Sequence, residues 1–431
     1  MTTWWAEWAW LGGPAPEAVP GVVLHEAEGV LTGVEPGVPT APRGATVLRG
    51  VTVPGLVNGH SHAFHRALRG TGGGSDFWTW REAMYGLAGA VDPALLLALT
   101  RACFAEMVLA GVTTVHEFHY LHHPEGMDDA IVHAAAQVGL RLVLLDTCYL
   151  RSGFEGEPLH PVQQRFSDGD ADRWALRASA LADRHPDVVV GAAVHSVRAV
   201  DAPSMAVVAR WAQGRSVPLH LHLSEQRAEN GACLAATGRT PAELCDESGV
   251  LGPATTAVHA THVGGGDVAL LGRSGTAVCL CPTTERDLAD GVGPAAALAS
   301  AGCALRVGSD ANAVVDLFEE ARAIELDQRL VTGRRAVHPP AALLSAATAQ
   351  RRLEAGAPAD LAAVSLESPR LAGFDPSRAA GHLVFAAAGA DVDTVVVGGR
   401  TVVRDGAHAT LDVVGELGSA VAAVRRVLGD R

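Results

Sequence analysis

The stretch PGLVNGHSHAFHRALRG, residues 54–70, predicts both a fold and the kind of site that the fold carries. Its apolar first half is typical of a buried strand, and His60 and His62 stand at the end of that strand. Because alternate side chains of a strand point the same way, both imidazoles project in one direction. A metal ion requires that shared direction of its ligands.

Seven further β-branched runs follow this strand, and Ala/Leu-rich segments of helical period separate them. The predicted strands are 51–62, 111–120, 140–150, 188–198, 218–225, 255–262, 275–284 and 303–311, and the clearest helices are 93–111, 127–139 and 171–185. Eight such units in about 300 residues predict an α/β protein with a (β/α)8 barrel.

The two ends of the chain have a different pattern. Residues 1–50 and 354–431 contain short β-like pieces that Gly and Pro interrupt. We expect both ends to form one small β domain, so that the domains are 1–50 plus 354–431 and the barrel, 51–353.

Composition excludes several classes of protein. The formal net charge is -14 with no basic block, which argues against a nucleic-acid partner. The start of the chain lacks the pattern of a secretory signal, and no apolar run reaches the ~18 residues of a membrane helix. Seven scattered cysteines predict a reducing cytoplasm, with Cys279 and Cys281 packed in a core strand.

Nearly all ionisable residues of the predicted strands lie at the strands' C-terminal ends. They are His60 and His62, then Glu117, His119 and Tyr120, then His195 and Arg198, then His222 and Glu225, then His259 and His262, and lastly Asp310. In a (β/α)8 barrel these ends converge on the face that carries the active site. Three histidines and one aspartate on that face would suit zinc.

The chain contains no lysine, so all 33 of its basic residues are arginines. Binuclear hydrolases of barrel architecture commonly bridge two metals with a carboxylated lysine. That bridge cannot form here, and the sequence therefore predicts a mononuclear site unless a glutamate or cysteine bridges.

Several segments extend the pattern beyond the histidines. They are HSHAFHRALRG, FWTWRE (77–82), EFHYLHH (117–123), HSVRAV (195–200), HLSEQ (222–226), VHATH (258–262) and CPTTERDL (281–288). Together they resemble the amidohydrolase superfamily, and more narrowly the formimidoylglutamate deiminases of histidine degradation. The resemblance covers nearly the whole chain and implies a barrel with a small β-sandwich made from both termini.

The resemblance also implies residue roles. One zinc per chain would be bound by His60, His62, His222 and Asp310; Glu225, His259 and Asp310 would act in catalysis; and His65, Arg81, Tyr120, His195 and Arg198 would hold a dicarboxylate substrate. His65 stands where described members often have glutamine. Ala311 and Asn312 stand where a serine and a histidine are expected, a departure that should remove polar groups beside the metal ligand.

The implied reaction adds water to a formimino carbon and expels ammonia. Asp310 is the expected base, Glu225 the expected proton donor to nitrogen, and His259 the group that steadies developing charge. Arginine forks suit carboxylates, which favours Arg81 and Arg198, with Arg66 and Arg69 as second choices.

Alternatives stay open at each level. Asp310 could instead cap the following helix, Glu225 could pair with Arg227 on the surface, and His119, His122 and the other histidines are interpreted as packing or solvated. The chain could act on a nucleobase or another amino-acid derivative, or bind metal without turnover. The oligomeric state is open, with a homodimer among the options.

Overall fold

The computed structural model describes residues 2–70 and 77–429, with the side chains of residues 77 and 78 outside the description. Its strands are β1 (Thr2–Ala9), β2 (Val19–Ala27), β3 (Val30–Glu35), β4 (Thr46–Pro54), β5 (Leu56–Ser61), β6 (Val112–His119), β7 (Arg141–Cys148), β8 (Val189–Val194), β9 (Leu219–Leu223), β10 (Thr255–His259), β11 (Ala277–Leu280), β12 (Leu305–Val307), β13 (Leu361–Val364), β14 (Val392–Val397), β15 (Arg400–Arg404) and β16 (Ala407–His408). These strands divide into two sheets of eight.

Helices follow most barrel strands. They are α1 (Phe77–Ala90), α2 (Pro93–Leu109), α3 (Met127–Val138), α4 (Ala171–Arg184), α5 (Ala202–Arg215), α6 (Arg227–Thr237), α7 (Pro241–Glu247), α8 (Gly265–Ser274), α9 (Pro282–Asp287), α10 (Ala295–Ser300), α11 (Leu317–Thr332), α12 (Pro340–Ala347), α13 (Ala379–Ala386) and α14 (Val413–Leu428). None of these described helices is both long and apolar enough to cross a membrane.

The predicted (β/α)8 barrel is confirmed. Strands β5 to β12 pair in parallel in chain order, and a bridge between Ser61 and Asp310 joins the first strand to the segment after the last. The helices α2, α3 and α4 match the three predicted segments to within two residues at either end. Parallel pairing places all eight C-terminal strand ends on one face, which is the mouth of the barrel.

The two chain ends form the second sheet, as predicted. Its order is β16-β15-β14-β13-β4-β1-β2-β3, with parallel pairing of β1 and β4 among antiparallel neighbours. Leu31 N donates to Ala357 O at 2.8 Å, which brings β3 back to the segment before β13. The sheet therefore curls around its own apolar cluster, in which Trp4, Leu24 and Leu361 are buried.

The prediction of one strand over 51–62 is wrong, because this stretch belongs to two strands. Its first part lies in β4 of the terminal sheet, and its second part is the barrel strand β5. Gly55 separates them, and a Cβ at that position would lie 2.2 Å from Thr113 Oγ1. Both halves are buried, so apolar character alone does not reveal the change of sheet; the domain boundaries themselves stay predictions.

Candidate metal centre and substrate cavity

Four side chains from three parts of the barrel meet at its mouth. His60 Nε2 lies 3.2 Å from His222 Nε2 and 3.2 Å from Asp310 Oδ1. His62 Nε2 lies 3.3 Å from His222 Nε2 and 3.6 Å from Asp310 Oδ1. We call these four residues the metal cluster, because the sequence predicts them as ligands and the structure brings their donor atoms together.

The hydrogen bonds around the metal cluster determine where two of the ring protons lie. His62 Nδ1 is 2.8 Å from Phe118 O, and His222 Nδ1 is 2.9 Å from His195 O. A carbonyl oxygen only accepts, so each Nδ1 carries a proton, and in the neutral ring Nε2 presents a lone pair. Burial lowers the pKa of both imidazoles well below the usual value, which favours that neutral form.

Two lone pairs that face each other at 3.3 Å repel unless a cation lies between them. Asp310 supplies negative charge at the same point. Burial alone would raise its pKa, but the hydrogen bond with His60 and the nearby charge of His259 lower it, so the carboxyl is ionised. Imidazole nitrogens whose Nδ1–H is tied to a carbonyl are typical zinc ligands, so this donor set fits the ion that the resemblance implies.

The helix-capping alternative for Asp310 is not supported. Asp316 is the N-cap of α11, where its side chain accepts hydrogen bonds from Phe318 N and Glu319 N. Asp310 has φ +43° and His259 has φ +67°, a left-handed conformation that costs non-glycine residues about 1–3 kcal/mol. Such strain at two strand ends is typical of residues that a functional site holds in place.

Glu225 and His259 lie beside the metal cluster. His259 Nε2 is 3.8 Å from Glu225 Oε1 and 3.9 Å from Asp310 Oδ2, while its Nδ1 is 3.4 Å from Glu285 Oε1. Burial raises the pKa of Glu225 to about 7. Burial opposes a charge on His259, but Glu225 and the other nearby carboxylates raise its pKa above the usual value. Glu225 thus faces the site and not the surface, where Arg227 is exposed.

A cavity opens next to the metal cluster. Its lining includes every residue that the sequence predicts for the substrate, namely His65, Arg81, Tyr120, His195 and Arg198. Aromatic side chains complete the wall, with Trp80, Tyr85, Tyr149 and Phe166 around the arginines. The substrate-binding roles of these residues stay predictions.

Within the cavity, His65 Nε2 is hydrogen-bonded to the Tyr120 hydroxyl at 2.9 Å. Arg198 donates to the Tyr149 hydroxyl and to Ser152 O, both at 3.4 Å. The Arg81 guanidinium lies 5.5 Å from the centre of the Tyr85 ring. Two arginines thus line the same cavity as residues of the metal cluster, although the whole chain has a net charge of -14.

The second-choice arginines do not line this cavity. Arg66 and Arg69 both pair with Glu106, at 2.6 and 2.8 Å, and Arg69 also donates to Asn312 O. The expectation that Ala311 and Asn312 remove polar groups beside the ligand is wrong for Asn312. Its buried amide makes four hydrogen bonds at the end of the barrel strands that carry the cluster.

Sequence reasoning assigned no role to three residues around the site. Glu285 contacts His259 and accepts from Cys281 N at 3.0 Å, and its signal was its place in the CPTTERDL motif. Glu117 accepts from Ala63 N at 2.6 Å and so fixes the turn that follows His62. Tyr149 is the second-last residue of the third predicted strand. Its hydroxyl was the only sign in the sequence that it lies at the site and not in the core.

A second group of metal-type side chains lies outside the cavity lining. We call His119, His122 and Asp128 the second cluster. Asp128 Oδ1 is 3.0 Å from His119 Nε2 and 3.2 Å from His122 Nδ1, and Arg177 contacts the other oxygen of Asp128 at 3.1 Å. These two histidines are buried and contact Asp128, in agreement with a structural role. Cys279 and Cys281 likewise pack with Val258 in an apolar cluster, as predicted.

Comparison with known proteins agrees with this geometry. The amidohydrolase family model matches residues 51–402. Formimidoylglutamate deiminase of Pseudomonas aeruginosa is 35% identical over 94% of each chain, and 8-oxoguanine deaminase of the same organism is 31% identical over 92% of each. The crystal structure of an amidohydrolase from Brucella melitensis superposes with a TM-score of 0.90 at 30% identity, over 98% of this chain and 100% of that one. The motif resemblance is confirmed, and the chain belongs to the amidohydrolase family.

Proposed function

We propose that this protein is a metal-dependent hydrolase that deiminates N-formimino-L-glutamate to N-formyl-L-glutamate and ammonia, a step of histidine degradation. The observation that carries the proposal is one cavity whose lining contains residues of the metal cluster, an acid–base pair and two arginines. The similarity to formimidoylglutamate deiminase supports the same substrate.

We infer that His60, His62, His222 and Asp310 hold one zinc ion per chain. When bound, zinc lowers the pKa of a water ligand towards about 7 and so supplies hydroxide at neutral pH. The absence of lysine supports a single ion, because the common carboxylated bridge has no residue to form on.

The chain's own residues would move the protons. Asp310, an ionised member of the metal cluster, accepts one proton of the attacking water. Glu225, with a pKa of about 7, can take up that proton and deliver it to the formimino nitrogen, which becomes an amino group on the tetrahedral carbon. The hydroxyl proton of that carbon then passes through Glu225 to the same nitrogen, so that the C–N bond breaks, ammonia leaves and the C=O bond of the formyl group forms. His259 lies between these two carboxylates, and its charge stabilises the oxygen that becomes negative as water adds to carbon.

Arg81 and Arg198 would bind the two carboxylates of the substrate. A planar guanidinium can contact both oxygens of a carboxylate, and such a contact is about twice as strong as a neutral hydrogen bond. The hydrogen bonds of Arg198 to Tyr149 and Ser152 are long, at 3.4 Å, and a substrate carboxylate would replace them with charged ones. Tyr120 and His195 would add hydroxyl and imidazole contacts in the same cavity.

A nucleobase deaminase is the second candidate. The aromatic rings of Trp80, Tyr85, Tyr149 and Phe166 could stack on a planar base, and 8-oxoguanine deaminase is among the relatives. A neutral base carries no carboxylate that the two arginines could bind. The arginines favour the dicarboxylate.

The test is ammonia release by the purified, zinc-loaded protein from N-formimino-L-glutamate, with 8-oxoguanine and 5-methylthioadenosine as parallel substrates. We expect ammonia from the first compound only, with N-formyl-L-glutamate identified by mass. Release from a nucleobase alone would support the second candidate. Intact zinc without ammonia from any of them would indicate a metal-binding protein that has no deaminase turnover on these compounds.

A further inference from the structure

The barrel closes at a seam between β5 and the segment after β12, and this seam carries three of the four metal-cluster residues. Asp310 N donates to His60 O at 3.0 Å, and His62 N donates to Asp310 O at 2.9 Å. The strand β12 has only three residues, so regular pairing ends before Asp310. Gly308 lies so close to His60 that an added Cβ would meet its backbone at 2.7 Å. Other contacts must therefore hold the end of this seam together.

Asn312 supplies those contacts. Its Nδ2 donates to His62 O at 3.0 Å, to Asp310 O at 3.0 Å and to Ser61 Oγ at 3.2 Å. Its Oδ1 accepts from Ser309 Oγ at 2.6 Å. The Asn312 amide therefore bonds to both sides of the seam. Its nitrogen donates to residues of both sides, and its oxygen accepts from Ser309. The side chain is wholly buried, so water does not replace these bonds.

A second asparagine continues the network behind the first. Asn58 Nδ2 donates to Ser309 Oγ at 2.7 Å, and Ser309 N donates to Asn58 Oδ1 at 3.0 Å. Arg69 donates to Asn312 O at 2.8 Å and so fixes the backbone as well. These bonds reach no Nε2 or carboxylate oxygen of the cluster. The network therefore fixes the backbone positions of the metal-cluster residues and does not contact their metal-binding atoms.

We propose that Asn312 is a positioning residue that sets the spacing of His60, His62 and Asp310 and thereby the affinity of the cluster for its divalent cation. The inference rests on the proposed metal site. Groups that orient metal ligands typically change metal affinity by about 10–100-fold when they are lost. Asn312 also has φ +56°, a conformation that asparagine, aspartate and glycine tolerate better than other residues.

Because position 312 has a positive φ, the test uses variants that tolerate this backbone conformation. Asn312→Asp keeps the shape and the backbone preference but turns an oxygen towards the carbonyl groups of His62 and Asp310. Asn312→Gly keeps the backbone and deletes the amide, and Ser309→Ala removes one partner. Asn230→Asp is the matched control, because Asn230 makes a single bond to His262 O at 2.9 Å away from the seam.

The primary measurement is the zinc dissociation constant of each folded, full-length protein, obtained by competition with a chelator. We expect the constant to rise at least about tenfold in Asn312→Asp and Asn312→Gly and less in Ser309→Ala, with Asn230→Asp unchanged. The visible spectrum of the Co²⁺-loaded proteins should change in the same order, since it reports ligand geometry. A role in folding alone would lower the melting temperature of the zinc-free protein without either effect.

Zinc constants within twofold of the wild type for both Asn312 variants would overturn the proposal. Should Asn312→Asp fail to fold, Asn312→Gly and Ser309→Ala carry the same comparison. A wild-type protein that binds no zinc would instead refute the metal site on which the proposed function depends, so the two failures are distinguishable.

Discussion

The metal cluster and the second cluster contain the same chemical groups and differ in what surrounds them. Both unite buried histidines with one aspartate, at separations near 3 Å. In the metal cluster, the two rings tied to carbonyl groups turn lone pairs towards each other. In the second cluster, an arginine is already in contact with the aspartate.

Arg177 is the residue that gives the second cluster its different character. It contacts Asp146 and Asp168 at 2.8 Å as well as Asp128, so these carboxylates surround one guanidinium. Burial and Arg177 oppose a charge on His122, but Asp146 and Asp128 raise its pKa above the usual value. A protonated His122 can donate to Asp128 and to Thr147 O.

The comparison teaches that ligand identity and proximity do not define a metal site. Charge balance decides between the two clusters. In the second cluster, Arg177 and a protonated His122 already contact Asp128, whereas burial favours neutral His62 and His222 rings beside Asp310 in the metal cluster, which opens into a cavity. We therefore propose that the cation binds in the metal cluster and not in the second cluster.

Removal of a ligand from the metal cluster should have the largest effect. His222→Ala deletes the ring nitrogen that lies within 3.3 Å of both other histidines. We expect zinc content near zero and kcat/KM reduced by about 10³ or more, because metal polarisation supplies several kcal/mol to the transition state. Metal analysis and the ammonia assay measure both, and wild-type zinc retention would show that the ligand set is wrong.

The matched change in the second cluster should affect stability and not metal content. Asp128→Asn leaves Arg177 and His122 with a neutral partner, and breaking a buried ion pair typically costs about 3–5 kcal/mol of the free energy of unfolding. Denaturant unfolding and zinc analysis of the same sample separate the two clusters. Two zinc ions in the wild type, with one lost in this variant, would contradict the charge-balance argument.

Glu225→Gln should separate metal binding from proton transfer within the active-site region. The amide keeps the size of the side chain but cannot exchange a proton near neutral pH. We expect unchanged zinc content and a kcat lower by at least the ~10² typical of acid–base residues. A near-normal kcat would remove Glu225 from the proposed mechanism.

The barrel and most of the cavity could be predicted because their signals are local. Period-two and helical patterns mark the eight strands, and His60, His62, His222 and Asp310 each stand at a strand end where parallel topology must bring them together. The change of sheet at Gly55 was invisible, since residues 51–57 form one buried and mostly apolar run.

Contacts between distant segments could not be predicted from patterns. The pairing of Arg66 with Glu106 and the role of Asn312 at the seam depend on side-chain directions that only the closed barrel determines. The two histidines of the second cluster were assigned to packing. The network of carboxylates around Arg177 was not predicted, because its members come from four other segments.

A comparison of two arginines gives the smallest expected effect and the sharpest test of substrate class. Arg177 is saturated by three carboxylates, whereas Arg198 donates to a hydroxyl and a carbonyl at 3.4 Å beside the cavity. Arg198→Met removes the charge but keeps an unbranched side chain of similar length. The loss of one charged hydrogen-bonded contact, about 1.5–3 kcal/mol, should raise KM for N-formimino-L-glutamate by about 10–100-fold.

Zinc content should stay close to that of the wild type, because Arg198 makes no hydrogen bond or ion pair with a metal-cluster residue in the part of the chain that the structure describes. An analogue that lacks one carboxylate provides the control for specificity. The variant and the wild type should differ less on that analogue if Arg198 binds the group that it lacks. An unchanged KM on the full substrate would assign the carboxylate to another residue, with Arg81 across the same cavity as the next to be tested.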